Sequence, residues 1–356
     1  MTEMKFGWEQ NVRKVVPYVP GEQPKTKNVI KLNTNENPYP PSPKVAEVIS
    51  SFDSDSLCLY PDPTVKDLVA TLAKEYGVKE SQVFTGVGSD DVISMCFMTF
   101  FQGGKKILFP DVTYSFYDVW ADLYQIPYKQ IPLDADFHIQ AEDYYEENGG
   151  IIFPNPNAPT GIEEPLSLVE DVLQHNPGSV VIIDEAYVDF GGETALPLLD
   201  KYDNLLITQT FSKSRSMAGM RIGFAIGSEK MISYLNDVKY SFNSYTMSRV
   251  AIEAGVAAVE DREYFDQTRK QIVITREWAK EELKKLGFFF PDSQTNFLFI
   301  THESVAAKDI FEALKANHIY VRYFNKPRID NYLRVTIGTR DQMEALLAFL
   351  KEDLEK

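Results

Sequence analysis

Val180-Val181-Ile182-Ile183-Asp184-Glu185-Ala186-Tyr187 is a run of β-branched apolar residues closed by two acids and a tyrosine. A strand that is apolar on both faces belongs in the buried centre of a parallel sheet, where helices cover both sides. Reading outward, short runs of the same kind recur at 106–109, 151–153, 205–208 and 222–226. Amphipathic stretches at 63–76 and 167–174 have helical spacing. The alternation predicts an α/β chain with a mostly parallel central sheet and helices on both faces. Around the first forty residues Pro17, Pro20, Pro24, Pro38, Pro40, Pro41 and Pro43 block long helices, so this segment is expected to be irregular. From about Glu277 the texture changes to a charged helix at 276–286, strands at 296–300, 320–323 and 333–337, and intervening helices. That order predicts a small α+β domain. The expected division is 41–280 for the large domain, with 1–40 and 281–356 together forming the small one.

Composition narrows the function. Lysine and arginine total 36 against 52 acids, a net charge of −16, and such a field disfavours nucleic acid and anionic membranes. No apolar run reaches the roughly 18 residues that a membrane span needs. The opening Met-Thr-Glu-Met-Lys-Phe-Gly-Trp-Glu has no apolar core of a secretory leader. Two cysteines are too few for a disulfide framework, and Cys96, within the apolar run 92–101, reads as a buried hydrophobe. A cytoplasmic protein is expected. His138, His175, His302 and His318 are scattered without metal-ligand spacing, so no metal site is expected. Gly86-Val87-Gly88 begins like a dinucleotide fingerprint, but Asp91 stands where its third glycine would be. Phosphate-binding loops of the Gly-x-x-x-x-Gly-Lys type and nucleophile elbows are absent.

The chemistry concentrates after the strand at 205–208. Thr210-Phe211-Ser212-Lys213 continues to Arg221-Ile222-Gly223, which places a lysine on a hydroxyl-rich turn and an arginine eight residues on. A lysine at a strand's end suits Schiff-base chemistry, and Ser212 with Arg221 could hold a phosphate beside it. The competing reading is a surface turn with two ordinary cations. Asp184, at the end of its apolar strand, either meets a cation such as a protonated pyridine or caps a helix. Thr85-Gly86-Val87-Gly88-Ser89-Asp90-Asp91 enters an apolar helix whose amino end can bind phosphate, or is a plain capped turn.

Taken together and in order, these motifs resemble the fold-type I pyridoxal-phosphate enzymes, and within them the histidinol-phosphate aminotransferases. The likeness also includes Val16-Pro17-Tyr18, Leu32-Asn33-Thr34-Asn35-Glu36-Asn37-Pro38, Leu59-Tyr60-Pro61-Asp62 and Asp111-Val112-Thr113-Tyr114. It extends through Asn155-Pro156-Asn157-Ala158-Pro159-Thr160-Gly161 and Leu333-Arg334-Val335-Thr336-Ile337-Gly338-Thr339. The resemblance implies pyridoxal 5'-phosphate as cofactor, with Lys213 as its covalent anchor and Asp184 on the pyridine nitrogen. It implies Tyr187 on the ring's O3′ and Tyr114 stacked on the ring. Gly88, Ser89, Asp90, Ser212 and Arg221 would surround the cofactor phosphate, with Tyr60 reaching it from the other subunit of a homodimer. Tyr18, Asn35, Arg322 and Arg334 would surround the substrate.

Two positions depart from the family. The motif usually reads Asn-Pro-x-Asn-Pro-Thr-Gly, its second Asn bonding O3′, and here that position is Ala158. Asn157 is the expected replacement, with Asn155 or Tyr187 alone as alternatives. Phe242 stands where some relatives carry a substrate-facing tyrosine. The activity implied is reversible, ping-pong transfer of an amino group between histidinol phosphate and 2-oxoglutarate. An aromatic amino-acid aminotransferase, a decarboxylase like those acting on threonine phosphate, and a non-catalytic module are the alternatives.

Overall fold

The computed structural model describes residues 7–18, 21–24 and 28–355. The leader reading, in so far as it covers 1–6, and Pro20 lie outside the described residues. Among the described residues thirteen strands run in chain order from β1 (Ile30–Lys31), β2 (Val83–Gly86), β3 (Ile107–Pro110), β4 (Tyr128–Ile131) and β5 (Ile151–Pro154) to β6 (Val181–Asp184) and β7 (Leu205–Thr210). They continue as β8 (Gly223–Gly227), β9 (Phe288–Phe289), β10 (Phe297–His302), β11 (Ile319–Tyr320), β12 (Arg322–Tyr323) and β13 (Leu333–Thr336).

The central sheet has the order β2-β8-β7-β6-β5-β3-β4. All its pairs are parallel except those made by β8, which runs against both neighbours. The double-sided burial inferred from 180–183 is realised by period-two alternation. Ile151, Phe153, Val181, Ile183, Leu205 and Ile207 face one core with Val169, Val172 and Leu173 of the helix Leu166–His175. Ile152, Ile182 and Leu206 face the other, against the helices Ser89–Phe100 and Tyr117–Tyr124. Register places Pro154, Asp184 and Thr208 side by side at the strands' carboxyl ends, where parallel sheets build their sites.

A second sheet, β12-β13-β10-β9, is antiparallel, and its core joins Phe297, Leu298, Ile300, Leu333 and Val335 to the helices Ala307–Ala316 and Arg340–Leu354. Several expectations are corrected here. The strand expected at 320–323 is two strands: β11 pairs in parallel with β1, and β12 pairs with β13. The first forty residues are therefore not wholly irregular, since Ile30 and Lys31 join the carboxyl-terminal part of the chain. The helix expected at 63–76 starts at Lys66, because Val65 takes the left-handed conformation (φ 55°). The helix expected at 276–286 is the end of a 24-residue helix, Arg262–Lys285, whose buried stripe of Phe265, Thr268, Ile272 and Ala279 is diluted by charge. Among the described residues no helix is long and apolar enough to cross a membrane, and no cluster of His, Cys, Asp or Glu could hold a metal.

Candidate active site

The loops after β6 and β7 and the start of the helix Ser89–Phe100 enclose a cavity of ≈ 180 Å³ lined by Asp184, Tyr187, Lys213, Ser212 and Arg221. Its floor is Asp184. The carboxylate accepts from Tyr117 Oη at 3.0 Å, from the Ala186 amide at 3.2 Å and from Thr208 Oγ1 at 3.5 Å. Burial pushes this carboxyl up to about 6, and the three donors only partly offset it. Among the described residues it forms no ion pair, so a buried carboxylate is left wanting a cation. Lys213 is half-buried, its Nζ 3.3 Å from the Thr34 carbonyl and 5.8 Å from the centre of the Tyr187 ring. The amine thus meets a backbone oxygen and an aromatic face, and among the described residues it forms no ion pair.

At the other end sits a cradle for an anion. The helix Ser89–Phe100 begins at Gly88 with no side-chain cap, so its amino end keeps free N–H groups and a positive dipole. Gly88 has φ 92°, and a Cβ there would lie 2.3 Å from Arg221 Nη2. The glycine is what lets the guanidinium reach the helix start. Arg221 Nη1 lies 3.4 Å from Ser212 Oγ, and Nη2 donates to Asp90 Oδ2 at 3.2 Å. Asp90 also accepts from Tyr114 Oη at 2.7 Å. Its carboxylate holds Tyr114 and Arg221 in place, while its backbone N–H belongs to the first turn of the helix. A cationic ring nitrogen for Asp184, an aldehyde for Lys213 and a phosphate for the cradle are what pyridoxal phosphate offers, and the residues present fit it.

A second cavity of ≈ 420 Å³ adjoins the first and shares Tyr114 and Ala158 with it. Arg322 and Arg334 line it, directly opposite each other on the antiparallel pair β12–β13. Both guanidinium groups lie 5.7 Å from the Phe324 ring. Like charges facing across strands repel. Burial, followed by the opposing effect of Tyr187 and then the charge of Arg322, leaves Arg334 below its usual value. Its buried Nε has no partner, its Nη2 reaches the Asn33 carbonyl at 3.2 Å, and among the described residues neither arginine is in an ion pair. Tyr18 stacks on Phe116 (4.2 Å) at the same cavity.

A model of the family aminotransferase class I and II matches residues 27–350. A histidinol-phosphate aminotransferase of Hydrogenovibrio crunogenus is 52% identical over 348 residues, covering 98% of each chain. One from Lactococcus lactis is 50% identical over 350 residues, again covering 98% of each. The chain belongs to the class I and II aminotransferases. Its fold is theirs too: the histidinol-phosphate aminotransferase of Sinorhizobium meliloti, solved in complex with pyridoxal-5'-phosphate, superposes with a TM-score of 0.82 at 22% identity, over 92% of this chain and 91% of that one.

Within this aminotransferase, the residues singled out from sequence do not all reach the cavities. Asn157 does not. Its amide is spent on the Val112 carbonyl (3.0 Å) and Thr160 Oγ1 (3.1 Å), and its Oδ1 faces Thr113 Oγ1 at 3.4 Å. Asn155 is likewise held, by both backbone groups of Glu164. The cavity wall at this point is the Ala158 methyl. Asn35, expected at the substrate, instead donates to Tyr187 Oη at 2.8 Å from a left-handed backbone (φ 56°). Tyr60 is 78% exposed, its ring tilted against that of Tyr245 (centroids 4.7 Å apart), and it lines neither cavity of its own chain. Phe242 is also exposed and lines neither.

Sequence reasoning missed the bracket 33–37 as a unit. Asn33 takes Arg334, Thr34 takes Lys213 Nζ, Asn35 takes Tyr187, and Asn37 Nδ2 donates to the carbonyls of Lys213 (3.2 Å) and Ser214 (3.1 Å). Glu36 lines the first cavity and is held by Lys31 (2.7 Å) and by Thr34 Oγ1 at 2.8 Å. Three asparagines in five residues, flanked by Pro38, were the available signal. Tyr117 and Thr208 were missed as well; they sit beside Asp184 only once strand and helix are packed.

Proposed function

We propose that this aminotransferase transfers the amino group of histidinol phosphate to 2-oxoglutarate, reversibly and by a ping-pong sequence, yielding imidazole-acetol phosphate and glutamate in histidine biosynthesis. The observation that carries the choice of substrate is the Arg322–Arg334 pair. A carboxylate needs one guanidinium, whereas a phosphate dianion presents three acceptor oxygens and can use two forks and the Tyr18 phenol. An anion between the two arginines also removes their mutual repulsion.

When bound, pyridoxal phosphate supplies the electron sink for the carbanion developing at the substrate's amine-bearing carbon. Lys213 Nζ would hold the cofactor, and as a free amine it would move the proton away from the substrate's amine-bearing carbon. Asp184 keeps a proton on the pyridine nitrogen, and Tyr117 and Thr208 orient the carboxylate that does so. Tyr187, bonded to Asn35, faces O3′ without help from a side-chain amide at 158. Gly88, Ser89, Ser212 and Arg221 hold the cofactor phosphate, and Asp90 aims Tyr114 at the ring.

The working unit in this reading is a cytoplasmic homodimer, with 41–280 as the cofactor-holding body and 1–40 plus 281–356 as the smaller one. Leu57, Leu59, Tyr60, Phe242 and Tyr245 are exposed, and the Tyr60–Tyr245 ring contact brings the two segments together. Such an apolar patch is what a subunit contact covers, and it would deliver Tyr60 to the partner's cofactor phosphate. The deciding experiment offers histidinol phosphate and phenylalanine side by side as amino donors. A preference for phenylalanine would make this an aromatic aminotransferase, and CO₂ release from a phosphorylated amino acid would make it a lyase.

A further inference from the structure

Two of the walls of the second cavity are tied together by one arginine outside its lining. One wall is the segment that follows β3, 111–115; the other is the β12–β13 hairpin with its connecting loop, 324–332. Arg328 lies in that loop. Its Nη1 donates to Asp111 Oδ2 at 2.8 Å, and its Nη2 to the carbonyls of Leu133 (2.9 Å) and Asp134 (2.6 Å). The other Asp111 oxygen accepts the Leu133 amide at 3.0 Å, and the guanidinium lies 5.4 Å from the Phe137 ring. One fork therefore grips the segments that leave β3 and the edge strand β4. Arg328 has φ 69°, a left-handed conformation that costs a non-glycine residue about 1 kcal/mol and is held by the surrounding contacts. Its neighbour Ile329 is buried with Leu133 and Phe137, while Lys326 and Phe324 face the cavity.

We propose that Arg328 and Asp111 form a positioning clasp that sets the gap between Tyr114 and the Arg322–Arg334 pair, and so the register of the substrate phosphate with Lys213. The inference rests on the phosphate reading given above. An ion pair this exposed adds little to global stability. Three charge-assisted bonds to one fork do restrict geometry, and a displacement near 1 Å can cost as much as 10²-fold in a positioned reaction.

The test compares wild type, Arg328→Gln, Arg328→Lys and Asp111→Asn, each as holoenzyme. Expected for Arg328→Gln is a rise of about tenfold in KM for histidinol phosphate and in the inhibition constant of inorganic phosphate, with thermal unfolding little changed. KM for unphosphorylated histidinol should move much less. Asp111→Asn should shift the same constants, the double variant should be no worse than the worse single one, and Arg328→Lys should recover part of the loss. Unchanged phosphate constants in Arg328→Gln, or equal losses with both donors, overturn the clasp. Should Arg328→Gln not fold, the milder Asp111→Asn and Arg328→Lys give the same comparison. A wild type indifferent to the donor's phosphate would overturn the substrate reading instead, which Arg322→Ala checks separately.

Discussion

Asp184 shows how much one residue's surroundings decide. At the end of an apolar strand it could have been a helix cap; packed against Tyr117 and Thr208 it is a buried carboxylate with three donors and, among the described residues, no cation. In protein stripped of cofactor, burial lifts its carboxyl from 3.8 to about 6. The folded state then holds this proton more tightly than the unfolded chain does. Its contribution to stability is complete below pH 3.8 and lost as pH rises through about 6. Asp184→Asn is neutral throughout, so denaturant titrations of the stripped proteins should show the variant gaining on wild type between pH 4 and 7, on the order of 1–3 kcal/mol. A gap independent of pH would mean that the carboxylate finds a cation without cofactor. In the holoenzyme the sign reverses: the same substitution should lower kcat on the order of 10²-fold or more, because the pyridine nitrogen loses its counter-ion.

At the scale of elements, the proposed choice of substrate rests on the β12–β13 pair. Antiparallel register sets Arg322 opposite Arg334, an arrangement that is unfavourable until an anion bridges it. Arg322→Ala should therefore weaken binding of phosphorylated donors by about 1.5–3 kcal/mol, as for hydrogen bonds to a charged group. With histidinol the penalty should nearly vanish, since there is no phosphate to read. Equal penalties, measured as the change in kcat/KM for the two donors, would mean that Arg322 does not face the phosphate. The sequence showed both arginines but had them on one continuous strand after 320 and another after 333. What it could not show is the break at Val321, which hands β11 to β1 and leaves β12 to face β13.

At the scale of the whole molecule, the exposed apolar and aromatic residues at 57–60 and 240–245 are a feature that a single chain leaves unexplained. If they are a subunit contact, Lys213→Ala and Tyr60→Phe damage different halves of one shared site. Lys213→Ala alone should lose all turnover and the visible absorption of bound cofactor. Co-refolding it with a crippled Tyr60→Phe chain should restore part of the activity, because one site in the mixed dimer has both residues intact. No recovery in demonstrably mixed dimers would remove Tyr60 from the shared site.

Read alone, the sequence determined the elements whose signal is local. The strands β3, β5, β6 and β7 were legible to within one or two residues, since a short strand buried on both faces admits only apolar side chains. Lys213, Asp184 and Arg221 stood out because Asp184 ends one apolar strand, Lys213 follows the next and Arg221 stands just before a third. Edge strand β4 was not, with Lys129 and Gln130 in solvent, nor was the first half of the helix Arg262–Lys285. Only tertiary structure could decide which groups meet across long separations. Asn35 reaches Tyr187 across 152 residues, Asn37 reaches Lys213 across 176, and Arg328 reaches Asp111 across 217. It also removed Asn157 from the cavity by giving every polar atom of its amide a nearer partner. The physical reason is the same in each case. A buried polar group must be satisfied by whatever packing brings within 3 Å or so, and spacing along the chain carries no record of that.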